Sequence, residues 1–263
     1  MGTVLDVSID AHVAKIVLNR PEKHNALSLE LFEALGDAGQ EIAANKSVRA
    51  VVLSGSGDNF CAGIDTAVFS DSNYDAIAQG LQPQAPSPAN MFQRAGYVWR
   101  EVPVPVICAI TGVAFGGGLQ IALGADIRYA HPDAKLSIME IKWGIIPDMA
   151  ITTTARHVIS ADKLKELAFT GRIVDAREAA SLGLVTSIHD DPLAYAEQMA
   201  AEIAGKSPDA IRSMKKLFNE GLLLAEEQSL ALEARLQSGL LGGANQLEAV
   251  QANVQKRTPD FSD

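Results

Sequence analysis

The sequence is poor in cysteine and contains no long hydrophobic run, and each of these absences excludes a class of protein. Only two cysteines, Cys61 and Cys108, occur among the 263 residues, so a disulfide framework is not indicated and we predict a reducing, cytoplasmic location. No apolar run approaches the roughly 20 residues that span a bilayer, so we expect no membrane partner. The first residues lack a basic region followed by an apolar segment, so a signal peptide is not expected.

Histidine is also scarce, and positive charge is outweighed by negative charge. The five histidines are scattered, and no two of them stand at the spacing of metal ligands, so no metal site is predicted. With 22 basic and 32 acidic residues, the formal net charge is -10, which opposes general binding to nucleic acid or to an anionic membrane. An anionic small molecule is compatible with this charge wherever a few cations converge.

The chain is rich in apolar residues, which are arranged in two successive patterns. In the first part, short apolar runs alternate with helical patterns, which predicts a hairpin at 4–19, strands at 48–53, 104–110, 125–130 and 134–138, and helices after Ser28 and at 91–102. Helical patterns alone follow, at 149–158, 162–169, 176–181, 192–205, 208–222, 225–240 and 245–255. This order predicts an α/β fold, with an α/β core over residues 1–200 and a helical C-terminal region over 201–263.

The stretch from about residue 66 to 89 is the least regular part of the chain. It contains Pro83, Pro86 and Pro88 among glutamine and serine residues, which predicts a mobile surface insertion. Such a segment serves either as a lid over a site or only as a connecting loop.

Three consecutive glycines, Gly116 to Gly118, mark the join between a buried strand and a helix. Glycine allows backbone conformations that are closed to other residues. The triplet also leaves amide N–H groups bare at a helix N-terminus, where the helix dipole favours negative charge. Such a place suits a phosphate or a developing oxyanion. A glycine-rich turn packed closely under a neighbouring element is the alternative, and the triplet alone does not separate the two.

A second loop of small residues, from Phe60 to Asp65, also follows a strand. Because its side chains are small, a ligand can touch the backbone there. One peptide N–H group from each of the two loops would together form an oxyanion hole. An oxyanion hole stabilises the enolate that grows from a thioester carbonyl, which is the main electrostatic demand of acyl-thioester chemistry.

Three motifs, in this order and spacing, carry a resemblance to a known family: Phe60-Cys-Ala-Gly-Ile-Asp65, Gly112-Val-Ala-Phe-Gly-Gly-Gly118, and Glu140 followed by Gly144-Ile-Ile-Pro147. The set resembles the crotonase superfamily, which is the enoyl-CoA hydratase/isomerase group, and the likeness runs from Asn19 to Phe261. The resemblance implies a crotonase-like spiral of β-β-α units with a helical C-terminal region, usually assembled as trimers or dimers of trimers. It also implies an acyl-CoA thioester substrate, so coenzyme A belongs to the substrate and no separate cofactor is expected.

The resemblance also implies which residues form the site. Ile64 and Gly117 would supply the two N–H groups of the oxyanion hole. The coenzyme A moiety would lie along a set of positions that match the family: Lys23, His24, Ala26, Ala62, Asp65, Val113 and Gly116. Lys256, beside Arg257, matches a basic pair that reaches the coenzyme A of a neighbouring subunit. The alternatives are an exposed, solvated side chain for Lys23 and compensation of a helix dipole for Lys256.

The acid–base residues decide which reaction of the family is expected. Hydratases of the family use two glutamates, of which one matches Glu140 and the other matches Gln120, which cannot exchange a proton at neutral pH. Isomerases of the family resemble this sequence in keeping only the later glutamate. Glu140 has apolar neighbours in the sequence, so we expect burial to raise its pKa and to suit it for removing and returning a proton. A carboxylate that only satisfies backbone amides at a strand end is the alternative.

Asp148 lies eight residues after Glu140, where dienoyl-CoA isomerases of the family also carry an acid. Those enzymes carry a further acid at the position of Gln120. This sequence therefore has one of their two additional acids, Asp148, and lacks the other. Asp148 is therefore either a second proton carrier or the N-cap of the predicted helix at 149–158, and the cap is the favoured interpretation. The family pattern usually has glycine at the next two positions, and Ala150 and Ile151 are expected to narrow the floor of the acyl pocket.

Three hypotheses of function follow. The first is an enzyme that shifts the double bond of an enoyl-CoA, with Glu140 as acid and base. The second is an enoyl-CoA hydratase in which Gln120 positions the water and Glu140 moves the proton. The third is a non-catalytic member of the family that binds acyl-CoA without turning it over.

Overall fold

The computed structural model describes residues 3–83, 85 and 87–263, and the described chain begins with a β-hairpin. Strand β1 (Leu5–Asp10) pairs antiparallel with β2 (Val13–Leu18). Ala11 and His12 form the turn, and both have a positive φ, as a tight two-residue hairpin connection requires. The predicted hairpin over 4–19 is confirmed.

The strands of the described residues form two sheets. Seven strands follow the hairpin: β3 (Ala50–Gly55), β4 (Val106–Ile110), β5 (Val113–Phe115), β6 (Ile127–Ala130), β7 (Lys135–Ser137), β8 (Val174–Asp175) and β9 (Ser187–Ile188). The larger sheet has the order β1-β2-β3-β4-β6-β9 and is parallel after the hairpin. The smaller sheet has the order β5-β7-β8. The sequence patterns predicted the longer strands but missed β5, β8 and β9, which are only two or three residues long.

The chain alternates between the two sheets, and this alternation builds the site. Strand β4 belongs to the larger sheet and β5 to the smaller one, and β6 and β7 repeat the arrangement. One turn earlier, after β3, Cys61 forms an isolated parallel bridge with Ala114 of β5. Successive β-β-α turns therefore stack in register. As a result, loops that are distant in sequence meet at the edge of the smaller sheet.

Helices connect and follow the strands. The helices within the described residues are α1 (Leu29–Ala44), α2 (Tyr74–Gly80), α3 (Met91–Glu101), α4 (Gly117–Gly124), α5 (Ile151–Thr154), α6 (Ala161–Thr170), α7 (Ala176–Ser181), α8 (Pro192–Ala204), α9 (Pro208–Gly221), α10 (Glu226–Leu240) and α11 (Ala244–Gln255). Ser28 caps α1 by accepting a hydrogen bond from Leu31 N at 3.2 Å, as predicted. The predicted α/β class with a helical C-terminal region is confirmed.

Helix α4 lies at the centre of the core. All eight of its residues are buried, and it packs against α3, which in turn packs on α1 through an edge-to-face pair of Phe32 and Phe92 with ring centroids 5.0 Å apart. Because α4 is enclosed by close-packed residues on every side, it has little room to shift or rotate. Groups at its N-terminus are therefore held by the rest of the core.

The C-terminal helices are tied to the core through the end of the chain. Arg49, which precedes β3, donates a hydrogen bond from Nε to Asp263 Oδ1 at 2.7 Å and one from Nη2 to the carbonyl oxygen of Phe261 at 2.8 Å. The predicted boundary at residue 200 falls inside α8, which packs on β3 and β4. The division into a core and a C-terminal region stays a prediction.

The segment from 66 to 89 is more regular than the sequence predicted. It contains two short 3-10 turns, Thr66–Phe69 and Asp71–Asn73, and then α2. Pro86 lies outside the described residues. The polar composition of the segment concealed Ile77, which is partly buried against the core, and Leu81, which is 45% exposed; both side chains line the cavity described below.

The residues after Glu140 require two corrections. The predicted helix at 149–158 is the short helix α5, and its N-cap is Ala150, with no side-chain cap. Asp148 is therefore not the cap that the sequence favoured. Ile151 is buried in the core and does not line the cavity described below, and neither does Ala150. The expected narrowing of the pocket floor by these two residues is therefore wrong.

Ala150 has a φ of 68° and is left-handed, a conformation that costs an alanine roughly 1–2 kcal/mol. We expect Ala150→Gly to raise the free energy of unfolding by up to about 1 kcal/mol, because the relieved strain exceeds the entropy that glycine adds to the unfolded chain. Ala201→Gly, inside α8, is the matched control and should lose about 1 kcal/mol. Denaturant unfolding measures both. Equal losses for the two variants would contradict strain at Ala150.

Candidate active site

A cavity of about 650 Å³ opens beside the N-terminus of α4, a size typical of a small-molecule site. Its wall is mainly apolar and is built by the residues Leu27, Phe32, Val68, Ile77, Leu81, Phe92, Phe115 and Met149. Phe69 and Trp143 also line it and approach each other with ring centroids 6.3 Å apart. The polar groups in this wall are few, which makes each of them informative.

The two loops that the sequence singled out meet at this cavity. Cys61 N donates to the carbonyl oxygen of Val113 at 2.9 Å, and Phe115 N donates to the carbonyl oxygen of Cys61 at 3.0 Å. A Cβ atom on Gly118 would lie 2.5 Å from the same Cys61 oxygen, so only glycine lets α4 begin this close to the loop. The glycine triplet therefore has a packing role as well as an available N-terminus.

Ile64 and Gly117 both line the cavity, and their N–H groups have no acceptor within the part of the chain that the structure describes. Leu27 forms a parallel bridge with Ile64 by bonding to the residues on either side of it, Gly63 O at 2.8 Å and Asp65 N at 3.0 Å. In such a bridge the N–H group of Ile64 itself points away from Leu27. Gly117 is the first residue of α4, where N–H groups lack an intrahelical partner.

Glu140 lies in the same cavity and is only 7% exposed. Its Oε1 accepts a hydrogen bond from Gln120 Nε2 at 2.5 Å, whereas its Oε2 is buried and has no hydrogen-bond partner among the described residues. A Cβ atom built on Gly116 would lie 3.4 Å from Glu140 Oε1, so the carboxylate lies directly against the glycine loop. A buried oxygen without a partner is costly for the fold and points to a ligand or a reaction.

Burial raises the pKa of the Glu140 carboxyl above its ordinary value of 4.5, and the neighbouring Asp148 charge raises it further, while the hydrogen bond from Gln120 opposes the shift. Asp148 is half-buried in the same cavity, and burial raises its pKa as well. The structure thus places two carboxyl groups of raised pKa in one apolar cavity. Carboxyl groups whose pKa is raised in this way are candidates for proton transfer.

The residues predicted for coenzyme A lie along one edge of this region. Lys23 and His24 are exposed, and the His24 carbonyl oxygen accepts a hydrogen bond from Ala62 N at 2.9 Å. Ala62 lines the cavity, and Asp65 is the last residue of the same loop. The first polar connection and this loop are therefore adjacent, as the resemblance implies.

Arg20, for which no role was predicted, links the first polar connection to the loop that ends at Asp65. Arg20 Nη2 donates to Asp65 Oδ2 at 3.0 Å, and Nη1 donates to the carbonyl oxygen of Ala26. The Asp65 carboxylate also accepts from Ala67 N, and these contacts hold its pKa below the ordinary value despite partial burial. A role for Arg20 could not be predicted from the sequence, because its partner Asp65 stands 45 positions further along the chain.

Six of the predicted residues do not line the cavity: Lys23, His24, Ala26 and Asp65, which lie along the edge described above, and also Val113 and Lys256. Val113 N donates to Asn59 Oδ1 at 3.0 Å, and its carbonyl oxygen accepts from Cys61 N, so its backbone groups are already used. Lys256 is exposed at the end of α11 and does not line the cavity. Their roles toward coenzyme A stay predictions. No cluster of His, Cys, Asp or Glu that could hold a metal ion occurs in residues 3–83, 85 and 87–263.

The comparisons with known proteins agree with this geometry. The model of the enoyl-CoA hydratase/isomerase family matches residues 8–263. The Bacillus subtilis (strain 168) protein YngF, named as an enoyl-CoA hydratase/isomerase, is 36% identical over 249 residues, which cover 94% of this chain and 93% of YngF. The chain belongs to the enoyl-CoA hydratase/isomerase family, so the predicted crotonase superfamily membership and the expectation of an enzyme of this kind are confirmed.

The relatives whose names specify one reaction are named for different reactions. The human mitochondrial Delta(3,5)-Delta(2,4)-dienoyl-CoA isomerase is 33% identical over 274 residues, which cover 97% of this chain and 81% of that protein. The crystal structure of an enoyl-CoA hydratase from Bacillus anthracis is 32% identical and superposes with a TM-score of 0.89, covering 98% of both chains. These names leave isomerisation and hydration both open. None of the helices in the described part of the chain is long and apolar enough to cross a membrane.

Proposed function

We propose that this enzyme shifts the double bond of an enoyl-CoA from C3 to C2 through an enolate, with Glu140 as the acid and base. One observation carries the proposal. Glu140 Oε2 is buried without a partner among the described residues, in the same cavity as the available N–H groups of Ile64 and Gly117. A carboxylate oxygen and two amide donors are the groups that deprotonation beside a thioester carbonyl needs.

The proposed reaction moves one proton and one double bond. The N–H groups of Ile64 and Gly117 hold the thioester oxygen, and Glu140 Oε2 removes a proton from C2. The electron pair of that C–H bond forms the enolate, whose negative charge rests on the oxygen. The electrons then return as the C3–C4 double bond opens, so that C4 takes the proton from Glu140 and C2–C3 becomes the double bond. No water or second substrate is consumed.

The contacts of Gln120 favour this reaction over hydration. Its side chain is 1% exposed, its Oε1 accepts from Met149 N at 2.8 Å, and its Nε2 donates to Glu140. The amide oxygen is thus occupied, and the amide cannot take a proton from an attacking water. Hydratase activity, with Gln120 positioning water, is the alternative, and acyl-CoA binding without turnover is the third possibility.

Assays with two substrates separate these functions. Incubation with a 3-enoyl-CoA should give the conjugated 2-enoyl-CoA, which is followed by its ultraviolet absorbance and by mass spectrometry. Incubation with a 2-enoyl-CoA should give little 3-hydroxyacyl-CoA. A 3-hydroxy product alone would replace the proposal by hydration, and saturable binding with neither product would replace it by the binding function. Coenzyme A enters as part of the substrate in each case, so no separate cofactor is proposed.

Asp148 supports a second candidate, the isomerisation of a 3,5-dienoyl-CoA. Its half-buried carboxyl group lines the cavity and acts electrostatically on Glu140, and several relatives are named dienoyl-CoA isomerases. With a second carrier, the proton could be delivered to a carbon further from the thioester than Glu140 reaches.

Asp148→Asn tests the second candidate. If Asp148 carries a proton, we expect kcat on a 3,5-dienoyl-CoA to fall roughly 10²-fold, with a much smaller change on a 3-enoyl-CoA. Steady-state kinetics on both substrates measure the difference. If kcat changes little, and by the same factor, on the two substrates, Asp148 only lines the cavity and is excluded as a proton carrier.

Self-association as trimers or dimers of trimers stays a proposal that rests on the family resemblance. Several large apolar side chains of α9 to α11 are exposed in the single protomer, among them Phe218, Leu222, Leu230 and Val254. Cytoplasmic location likewise stays a prediction from the low cysteine content. Light scattering of the purified protein would determine its mass in solution.

A further inference from the structure

We propose that Gln120 is a positioning residue that fixes the Glu140 carboxylate so that only its Oε2 faces the substrate. The inference rests on the proposed function, because it concerns how the base of that reaction is held. It replaces the role of water positioning that the hydratase hypothesis gave to Gln120.

The direction of the Gln120 amide is determined by a backbone group. Met149 N–H can only donate, so the atom that faces it at 2.8 Å must be the amide oxygen. The amide nitrogen therefore faces Glu140, and it donates to Oε1 at 2.5 Å. A flipped amide would lose both hydrogen bonds in a buried place, which is costly. Gln120 thus always presents a donor to one chosen oxygen of the carboxylate.

The support for this amide is the same element that carries an oxyanion donor. Gly117 and Gln120 are three residues apart in α4, so they lie on the same face of the helix. Every residue of α4 is buried, which leaves the helix little freedom to shift. One rigid element therefore sets both the position of the thioester oxygen and the orientation of the base. Displacing a base by about 1 Å from its reacting atom can cost roughly 100-fold in rate.

The hydrogen bond also affects the protonation of Glu140. Among the described residues, Asp148 is the charged group that acts on Glu140, and Lys142 is the other charged side chain in the cavity wall. The contact with Gln120 opposes the effects of burial and of Asp148 by favouring the ionised carboxylate. Removing it should therefore move the acid limb of the pH–rate profile to higher pH.

Three variants test the proposal in the full-length protein. Gln120→Met keeps the size of the side chain but removes both hydrogen bonds. Gln120→Glu keeps an acceptor for Met149 N and, while protonated, a donor for Glu140. Thr154→Val is the matched control, because it removes a different, partly buried hydrogen bond, from Thr154 Oγ1 to the carbonyl oxygen of Ala150 at 3.2 Å, outside the cavity.

We expect Gln120→Met to lower kcat on the 3-enoyl-CoA roughly 10- to 100-fold with KM changed less than about 3-fold, and to shift the acid limb upward. Gln120→Glu should recover much of the activity in the pH range where it and Glu140 share one proton, and lose it as pH rises and that proton is lost. Thr154→Val should leave the acid limb in place. A Gln120→Met enzyme with the kcat and acid limb of the wild type would overturn the proposal.

A second measurement does not depend on turnover. The Glu140 carboxyl, labelled with ¹³C, can be titrated by NMR in the wild type and in both Gln120 variants. A higher pKa of Glu140 in Gln120→Met supports the positioning role even if the wild type proves to catalyse another reaction, and an unchanged pKa contradicts it. If Gln120→Met does not fold, the Gln120→Glu profile decides: a pH dependence equal to that of the wild type rejects the proposal.

Discussion

Glu140→Gln is expected to lower kcat for the double-bond shift by roughly 10²- to 10⁴-fold, which is the range that a general acid–base residue contributes. The reason is that the variant side chain can still accept from Gln120 Nε2 but has no group that can take a proton from C2. Binding of a saturated acyl-CoA should change little, because the shape of the cavity is preserved. Steady-state kinetics and a binding titration on the same preparation measure the two effects.

Stability provides the control for this variant. Because burial raises the pKa of Glu140, the unfolded chain ionises at lower pH than the folded one, and stability is lost as pH rises from the ordinary pKa through the raised one. At neutral pH, Glu140→Gln removes this penalty, so the variant should be at least as stable as the wild type. An enzyme that kept full isomerisation activity with glutamine at this position would refute Glu140 as the base.

Gly117→Pro is expected to lower kcat roughly 10²- to 10³-fold, the cost of losing one oxyanion donor. Gly117 is the first residue of α4, where proline is well tolerated because its missing N–H group has no helical partner. The substitution therefore removes the proposed donor without breaking the helix. Its effect should fall on kcat more than on the affinity for a saturated acyl-CoA, because the enolate carries more charge on oxygen than the substrate does.

Gly117→Ala is the matched variant. A Cβ atom at this position would lie 2.7 Å from both Leu27 Cδ1 and Met149 Sδ, and these are far ends of flexible side chains that can move. Alanine and proline both introduce this crowding, but alanine keeps the N–H group. The ratio of their kcat values therefore reports the loss of the N–H group together with the effect of the proline Cδ atom that takes the place of its hydrogen. If the two variants have the same kcat, the N–H group of residue 117 does not hold the thioester oxygen.

Much of the fold was predictable because its signals are local. The strand at 104–110, the helix after Ser28 and most C-terminal helices follow from periodicity and caps within ten to twenty residues. The short strands β5, β8 and β9 were missed because two or three residues carry no period. Helix α2 (Tyr74–Gly80) was missed because the segment around it is polar and only Ile77 of this helix packs its apolar side chain against the core.

The candidate site was only partly predictable for a different reason. The two loops and Glu140 were found from their motifs, and the loops do meet at one cavity that also holds Glu140. The role of Asp148 was misjudged, because a cap and a cavity-lining acid look alike in sequence. The structure excludes the cap, because the N-cap of α5 is Ala150, which has a left-handed backbone conformation.

By itself, the sequence determined the class of the fold and the two small-residue loops, and it singled out Glu140 as the predicted acid and base. These features depend on residue type and on spacing along the chain. Only the tertiary structure decided that Gln120 donates a hydrogen bond to one oxygen of Glu140, that the other oxygen has no partner among the described residues, and that Arg20 pairs with Asp65. Hydrogen bonds are directional and burial is collective, so contacts between residues 20 or 45 positions apart exist only once the intervening chain has packed.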